Sequence, residues 1–230
     1  MIKNTYVDTK GIKIYDIGYS GHLHSINIKK INYKKIFLKR FPKLKNKKYI
    51  LFIGRIHHKK GCDLLLEAIL RVKNLKNFYF LIAGFMHKLN YYEKNILNRI
   101  NQNKKLKYRI IVSKFLKDDL KIASIKFSQA TILPSRGENF GVTVTESLSL
   151  GKIPLITNKV GIYHEIKKFN AGIICRDNIA SISNIIENFL NLKKEKKKII
   201  EKNCLYCFNK VFNISQDKNK LIQLLKSNVK

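Results

Sequence analysis

Short, uninterrupted apolar runs alternate with helical patterns through most of the 230-residue chain. The runs are YILFIG (49–54), FYFLIAG (78–84), YRIIV (108–112), ATILP (130–134), IPLIT (153–157) and AGIIC (171–175). Apolar runs of this length are typical of strands that are buried on both faces. Apolar residues at helical spacing separate several of them, as between Leu64 and Val72. The alternation predicts an α/β fold, a doubly wound parallel sheet of the Rossmann-like type.

Parallel sheets of this kind bind ligands at the carboxyl ends of their strands. The first run leads into the loop GRIHHKKG (54–61), in which Gly54 permits a tight turn. Arg55 and Lys60 then stand near the carboxyl end of the strand, ahead of a helix, and two cations in that position suit a phosphate. The alternative is an ordinary basic loop in a lysine-rich chain, and the local residues by themselves slightly favour this alternative.

The segment SRGENFGVTVTESLSLG (135–151) has a pattern that favours two different structures. Its valines and leucines alternate with threonines and serines, and this period of two is typical of a strand. However, the fourth and fifth predicted strands are parallel, so they require a crossover connection, which is usually a helix. The topology therefore predicts a helix from about residue 140 to residue 150, ended by Gly151.

Two carboxylates frame this predicted helix: Glu138 just before it and Glu146 two turns along it. Carboxylates accept hydrogen bonds well from the vicinal hydroxyls of a sugar or ribose. Free amides around Asn139 to Gly141 would face a ligand at the same edge of the sheet. The alternative is a capping box formed by Ser135 and Glu138, with Glu146 on the surface. Spacing alone does not separate the two interpretations.

The formal charge of +32, from 47 Lys and Arg against 15 Asp and Glu, raises the question of a polyanionic partner. The positive residues are mostly lysines and are spread along the whole chain. A nucleic-acid face more often clusters arginines and interleaves exposed aromatic residues. We therefore expect no nucleic-acid partner, and we consider an anionic membrane surface as a peripheral docking site.

The cellular compartment is inferred from the absence of a membrane-spanning segment and of a signal peptide in the sequence. No apolar run approaches the roughly 18 residues that a membrane span needs. The first 18 residues have no hydrophobic signal-peptide core. These features predict a cytoplasmic protein, peripheral at most on the inner face of the membrane.

Cys204-x-x-Cys207 has no second such motif, so a zinc site is not expected. With Cys62 and Cys175, these residues are predicted to be buried free thiols.

The chain divides by pattern at about residue 49. Residues 1–48 are irregular, and we interpret them as an N-terminal extension or linker with a strand or two. Residues 49–230 form the predicted Rossmann-like domain, which ends in C-terminal helices. Leu221, Leu224 and Leu225 have helical spacing and predict a final helix.

Several motifs in combination resemble a known family. GRIHHKKGCDLLLEA, FLIAG and ILPSRGENFGVTVTESLSLGKIPLITNKVGIYHEI resemble the C-terminal, donor-binding half of glycosyltransferase family 4. Members of that family are retaining, nucleotide-sugar-dependent enzymes of the GT-B fold. The resemblance covers roughly residues 37–225, and its motifs occur in the order found in the family. The most specific motif is the pair of glutamates separated by seven residues.

The resemblance implies roles for particular residues. Arg55 and Lys60 would bind the donor diphosphate and stabilise the leaving nucleotide. Glu138 would hold hydroxyls of the donor sugar, and Glu146 would hold the ribose diol. The remaining donor-binding residues would be Gly54, Val112, Ser113, Asn139, Phe140, Gly141, Val142 and Thr143, with Val112 and Ser113 near the base. No metal or other cofactor is expected, because the basic pair takes the place of a divalent cation.

The function that the resemblance implies is sugar transfer from a nucleotide sugar to a glycan or lipid-linked acceptor in polysaccharide biosynthesis. Family members also have an N-terminal acceptor domain, for which this chain is too short. We therefore expect a donor-binding half that needs a separate N-terminal half. The alternative is a non-catalytic remnant that binds a nucleotide sugar or another subunit.

Overall fold

The computed structural model describes residues 31–213, together with Ile222 and Lys226. Its six parallel strands are β1 (Lys48–Ile53), β2 (Phe78–Phe85), β3 (Ile110–Lys114), β4 (Ala130–Leu133), β5 (Ile153–Thr157) and β6 (Ile173–Cys175). They form one sheet in the order β3-β2-β1-β4-β5-β6. Every pair of neighbouring strands is parallel. The predicted doubly wound fold is thus confirmed, and the strand order reverses between β1 and β4, where such sheets open a ligand crevice.

Helices cover both faces of this sheet. They are α1 (Tyr33–Arg40), α2 (Cys62–Arg71), α3 (Tyr91–Gln102), α4 (Lys104–Arg109), α5 (Asp118–Phe127), α6 (Val142–Ser149), α7 (Tyr163–Lys168), α8 (Ile179–Asn191) and α9 (Lys194–Cys207). Alternate residues of β1 enter different clusters: Ile50 and Phe52 pack with α2, α3, α4 and α8, whereas Leu51 and Ile53 pack with α1 and α5. A third cluster joins β4 and β5 to α6, α7 and α9. None of the helices in this part of the chain combines the length and the apolarity needed to cross a membrane.

The crossover between β4 and β5 is the predicted helix, α6. It is shorter than predicted because Gly141, directly before it, has a left-handed φ of 89° and the helix ends at Ser149. Val144 and Leu148, four residues apart, are both buried against the sheet. The strand-like alternation of this segment is therefore overridden by the topology.

The described part of the N-terminal segment differs from what its sequence suggested. Residues 33–40 form α1 and are not irregular, and Phe37 stacks on Tyr49 with ring centroids 5.4 Å apart. Phe41 and Leu44 join the same buried cluster. The fully buried residues of this lysine-rich helix are Tyr33 and Phe37, so its sequence carries a weak apolar pattern. The boundary at residue 48 stays a prediction, and residues 1–30 lie outside the described residues.

Smaller corrections concern the third strand and the cysteines. Tyr108 and Arg109 end α4, so β3 begins at Ile110 and not at residue 108. The Asn103 side chain caps α4 by accepting a hydrogen bond from the Leu106 amide at 3.1 Å. All cysteines are free; Cys62, Cys204 and Cys207 are buried as predicted, and Cys175 is half-buried. In the predicted C-terminal helix only Ile222 and Lys226 are described, and both are helical.

Candidate functional site

Two loops meet at the carboxyl edge of the sheet, one after β1 and one after β4. The Arg136 amide donates to the Lys59 carbonyl at 2.8 Å and joins the two loops. Gly61, with a φ of 68°, lies so close to the second loop that a Cβ there would stand 2.0 Å from the Pro134 carbonyl oxygen. Only glycine fits this position, because it lacks the Cβ and tolerates the left-handed conformation.

The Arg136 guanidinium fastens the same two loops together. It donates to both carboxylate oxygens of Asp63, at 2.9 and 2.6 Å, and to the His58 carbonyl at 2.8 Å. The Tyr92 hydroxyl donates to the same carboxylate at 2.7 Å. Burial raises the pKa of Asp63, but the hydrogen bonds from Arg136 and Tyr92 outweigh it and lower that pKa to about 2. We call Arg136, Asp63 and Tyr92 the loop clamp. The loop clamp was not predicted from the sequence, because three residues so far apart in the chain form no recognisable pattern.

Lys60 and Glu138 form an ion pair across the two loops. Their side chains are 20% and 18% exposed, so both are largely shielded from solvent. Burial lowers the pKa of Lys60, and the charge of Arg55 lowers it further. Arg55 itself is exposed. The structure therefore brings three predicted residues, Arg55, Lys60 and Glu138, to one place.

The backbone of Glu138 is fixed from the β5 side. Its amide donates to the Lys159 carbonyl at 3.0 Å, and its carbonyl accepts from the Gly161 amide at 2.7 Å. Gly161 approaches closely, since a Cβ there would stand 1.9 Å from the Asn139 carbonyl oxygen. These contacts hold the start of the ENFG segment against the neighbouring strand connection.

The amino end of α6 has no side-chain cap. Its N-cap is Gly141, and Glu138 is paired with Lys60, so the capping-box interpretation is wrong. Ser135, the other member of that box, is buried and its Oγ has no partner. The first amides of α6, those of Val142 and Thr143, are thus presented at the edge of the sheet.

The predicted donor-binding residues around the start of α6 differ in their exposure to solvent. Asn139 and Val142 are exposed and Thr143 is half-buried. The Phe140 ring instead packs edge-on against Phe212, with centroids 5.8 Å apart, and is partly buried against the third cluster.

Glu146 is buried, with only 2% of its side chain exposed. The alternative that placed it on the surface is therefore wrong. Its Oε1 accepts from the Lys121 ammonium at 2.5 Å, while its Oε2 is buried and has no hydrogen-bond partner. Burial raises the pKa of this carboxyl, and Lys121 partly offsets the rise. Lys121 was not predicted, because one lysine on a helix of so lysine-rich a chain gives no signal.

Val112 and Ser113 lie at the end of β3, two strands away from β1, or roughly 10 Å along the sheet. They line a separate cavity of about 260 Å³ with Arg40, Phe85, Met86, His87, Leu89, Leu97 and Lys114. Buried Glu93 shapes its wall by accepting from the Met86 and Asn90 amides at 2.8 and 2.9 Å.

Gly54 directly follows β1, the strand that lies between the side of the sheet with the Val112 cavity and the side with the Lys60–Glu138 ion pair. Its amide donates to the Ala83 carbonyl at 3.1 Å, and the space beside its own Cα is open. A Cβ on Gly84 would stand 1.7 Å from the Gly54 carbonyl oxygen, so β1 and β2 end in close contact. Within the described residues, no three His, Cys, Asp or Glu side chains converge as they would around a metal ion.

Comparison with known proteins gives a consistent result. Residues 34–204, more than half of the chain, match the sequence profile of a family described as glycosyl transferases group 1. The O-antigen biosynthesis glycosyltransferase WclY of Escherichia coli is 32% identical over 108 residues, which are 47% of this chain and 28% of that protein. An uncharacterized glycosyltransferase of Methanocaldococcus jannaschii is 26% identical over 123 residues, 54% of this chain and 30% of that protein.

Solved structures agree on the fold. A glycosyltransferase from Rickettsia africae superposes with a TM-score of 0.74 at 21% identity, covering 87% of this chain and 53% of that one. The Anabaena protein HepE, solved in complex with UDP and glucose, superposes with a TM-score of 0.71 at 17% identity, covering 84% and 52%. The matched part therefore spans under a third of the two curated relatives and about half of these solved chains.

Proposed function

The chain belongs to the glycosyl transferases group 1 family, and from that premise we propose that its Rossmann-like domain binds the nucleoside-diphosphate sugar donor of a sugar-transfer reaction. In this proposal it is the C-terminal half of a retaining enzyme of family 4. The observation that carries the proposal is the convergence of Arg55, Lys60 and Glu138, beside the uncapped amino end of α6, where the strand order reverses.

Arg55 and Lys60 supply the positive charge that a diphosphate requires. They are close enough for the charge of Arg55 to lower the pKa of Lys60, so an anion between them relieves a repulsion. The same charge stabilises the nucleoside diphosphate as it leaves, which is worth several kcal/mol in comparable sites. No metal or other cofactor is required in this proposal, because the two cations balance the diphosphate.

Glu138 binds the sugar and exchanges partners when the donor arrives. Before that exchange its carboxylate is paired with Lys60. A diphosphate competes for the Lys60 ammonium, and the freed carboxylate then accepts hydrogen bonds from sugar hydroxyls. The amides from Asn139 to Thr143 complete this end of the site as donors to the sugar and a phosphate.

Glu146 binds the ribose. A buried carboxylate oxygen without a partner is costly, and a hydroxyl donor would satisfy it. The vicinal hydroxyls of ribose offer two such donors, of which one reaches Oε2 while Lys121 keeps Oε1. Val112 and Ser113, with the cavity of about 260 Å³ and the carboxyl end of β1 at Gly54, then take the base. That volume is below the roughly 300–1,000 Å³ typical of sites for whole drug-sized ligands, and it suits one part of a nucleotide.

The likeness to WclY supports a glycan or lipid-linked acceptor in polysaccharide biosynthesis, and the likeness to HepE makes UDP the first nucleotide to test. We place the reaction in the cytoplasm, with peripheral attachment to an anionic membrane as an option. The acceptor would be bound by a separate N-terminal half. The remaining alternative is a non-catalytic subunit that binds the donor without turnover.

Calorimetric titration with nucleoside diphosphates and nucleotide sugars tests the proposal. Arg55→Ala should weaken binding of the preferred nucleotide about tenfold or more, because it removes a charge-assisted contact. Lys59→Ala is the matched control, since it removes an exposed cation from the same loop and should change affinity little. Absence of binding to every member of the panel would refute the donor site. Donor binding without transfer to any acceptor, even with an added N-terminal half, would favour the non-catalytic alternative.

A further inference from the structure

A second cavity opens at the opposite edge of the sheet, where the strands begin. It has a volume of about 900 Å³, larger than the cavity beside Val112. Lys48 and Phe78, the first residues of β1 and β2, line it, together with Gln129, directly before β4. The end of α8 and the start of α9 close its side. The cavity is therefore separated from the donor site by the length of the strands.

The lining of this cavity is basic and contains no carboxylate. Five of its eleven lining residues are lysines: Lys47, Lys48, Lys76, Lys194 and Lys197. The other polar lining residues, Asn46, Asn77 and Gln129, are neutral. We call this the amino-edge pocket. Lysines on an ordinary surface diverge into solvent, whereas these converge on one concavity without an acidic partner in its wall.

Two of the lysines are held in place by the protein. The Lys76 ammonium donates to the Leu190 carbonyl at 3.2 Å and to Asn191 Oδ1 at 2.8 Å. The Lys197 ammonium lies 4.1 Å from the centre of the Phe189 ring and 5.6 Å from that of Phe78. These contacts order the two charges before any ligand arrives, which lowers the entropic cost of binding.

The ordered charges repel one another. Burial lowers the pKa of Lys197, and the charges of Lys48 and Lys76 lower it further, against a smaller opposing effect of Glu201. Three cations are thus held within electrostatic reach of each other in a partly desolvated place. An anion in the pocket would relieve this repulsion.

The amino end of α9 adds to the positive potential. Lys194 is the first residue of this 14-residue helix and lines the pocket. Lys193, the N-cap, provides no side-chain hydrogen bond to the first amides. The positive end of the helix dipole therefore acts together with the lysines.

We propose that the amino-edge pocket binds a multivalent, phosphate-bearing anion, separately from the donor site. The lysines present compact ammonium donors, which suit the dispersed oxygens of phosphates. The volume admits several linked phosphate groups or a phosphorylated head group. A single-stranded nucleic acid is less suited, because its bases need exposed aromatic platforms, and the aromatic ring in this wall, Phe78, is buried.

Inorganic triphosphate titrated into the whole chain tests the proposal. Lys48→Gln, Lys76→Gln and Lys197→Gln combined should weaken triphosphate binding about tenfold or more. The matched control, Lys196→Gln, Lys198→Gln and Lys202→Gln, removes the same charge from exposed positions of α9 and should weaken it about twofold at most. A cooperative melting transition of each variant without ligand would show that both are folded; triphosphate should then raise the melting temperature of the control and leave that of the pocket variant unchanged.

Further arms identify the source of the phosphate and separate the two sites. Pocket-dependent binding to phosphatidylglycerol vesicles, in competition with triphosphate, would support the pocket and place the phosphate on a lipid. Retention of triphosphate binding by Arg55→Ala with Lys60→Ala would support a separate site, whatever the outcome of the nucleotide titrations. Equal losses in the two lysine variants, binding only at the donor residues, or preferred binding of single-stranded DNA would overturn the proposal.

Discussion

Lys60 and Glu138, 78 positions apart in sequence, form an ion pair between the loops that follow β1 and β4. Each charge is thus neutralised by the other, and in the proposed site a donor would displace this contact to reach either side chain. In the proposed donor site a phosphate and a sugar hydroxyl would replace both partners at once, so we propose that the pair couples recognition of the diphosphate to recognition of the sugar.

Glu138→Gln should weaken the binding of a nucleotide sugar without weakening the binding of the free nucleoside diphosphate. The amide no longer competes for Lys60, so a free nucleoside diphosphate should bind as well as before or more tightly. A nucleotide sugar should bind about tenfold less tightly relative to that diphosphate, because a charged acceptor of its hydroxyls is lost. Calorimetry with both ligands measures the difference. Glu195→Gln, at an exposed position of α9, is the control, and equal losses for both ligands would contradict the coupling.

Glu146→Gln should stabilise the domain, measured without added nucleotide, at neutral and higher pH. Burial raises the pKa of Glu146, so its favourable contribution to stability is complete below the unfolded value of 4.5 and is lost as pH rises through the folded value. The amide carries no charge at any pH, and Lys121, 29% exposed, can turn to water. The melting temperature of the variant should therefore exceed that of the parent by an amount that grows from pH 4 to pH 8.

Two results would check this interpretation of Glu146. Glu67→Gln breaks the half-exposed ion pair with Arg99 and should show no such growth with pH. The Glu146→Gln variant should also bind nucleosides with an intact ribose diol more weakly, while affinity for inorganic diphosphate stays the same. A constant difference in melting temperature across the pH range would show that burial of the charge is not the cause.

Asp63→Asn should destabilise the domain by about 1–3 kcal/mol at pH 7, because it breaks the bidentate contact with Arg136 in a largely shielded place. The pKa of Asp63 is lowered to about 2, so this stability is present above the unfolded value of 3.8 and is lost as pH falls toward 2. Chemical denaturation at pH 7 and pH 3 measures the difference, which should shrink at the lower pH. Arg136→Lys should lose part of the same stability, since lysine keeps the charge but cannot donate to both carboxylate oxygens with a planar guanidinium. An unchanged free energy of unfolding in Asp63→Asn would contradict the loop clamp.

Gly61→Ala should destabilise the domain more than Gly137→Ala, which changes a glycine of the facing loop. A left-handed φ costs an alanine about 1–2 kcal/mol, and the Cβ would overlap the Pro134 carbonyl oxygen. We expect a loss above about 2 kcal/mol, or more than about 4 °C in melting temperature for a chain of this size. Gly137→Ala is the control, because its Cβ meets open space and its cost should stay within about 0.5 kcal/mol. Similar melting temperatures for both variants would show that the loops separate freely.

The sheet was predictable from sequence because strand residues buried on both faces are almost all apolar, as in YILFI (49–53) of β1 and FYFLIAGF of β2. Helix α6 was predictable only through topology, since its own residues alternate like a strand. Helices α1 and α4 were missed because lysines dominate both, and a few buried residues such as Phe37 and Leu106 hold them. Their apolar anchors are too sparse to produce a periodic pattern.

The residues of the candidate site also fall into those that the sequence could predict and those that it could not. Arg55, Lys60, Glu138 and Glu146 occur in recognisable local motifs, so the amino-acid sequence is enough to propose their positions. Lys121, the partner of Glu146, and Asp63, the partner of Arg136, could not be proposed in this way. Each is one charged residue on a helix, and its role depends on a residue that the fold brings close. The basic wall of the amino-edge pocket was hidden for the opposite reason: lysines occur everywhere in the chain, and only the cavity distinguishes these five.

The loop clamp also affects how the domain fluctuates. Arg136 donates hydrogen bonds through its amide to Lys59 and through its side chain to His58 and Asp63. The loop after β4 therefore cannot move away from the sheet without breaking its hydrogen bonds to the loop after β1. Segments bound in this way open as one cooperative unit. Amide hydrogens of residues 57–61 and 135–141 should then exchange with solvent at a common opening free energy. The two loops that form the candidate site would therefore open together or stay ordered together.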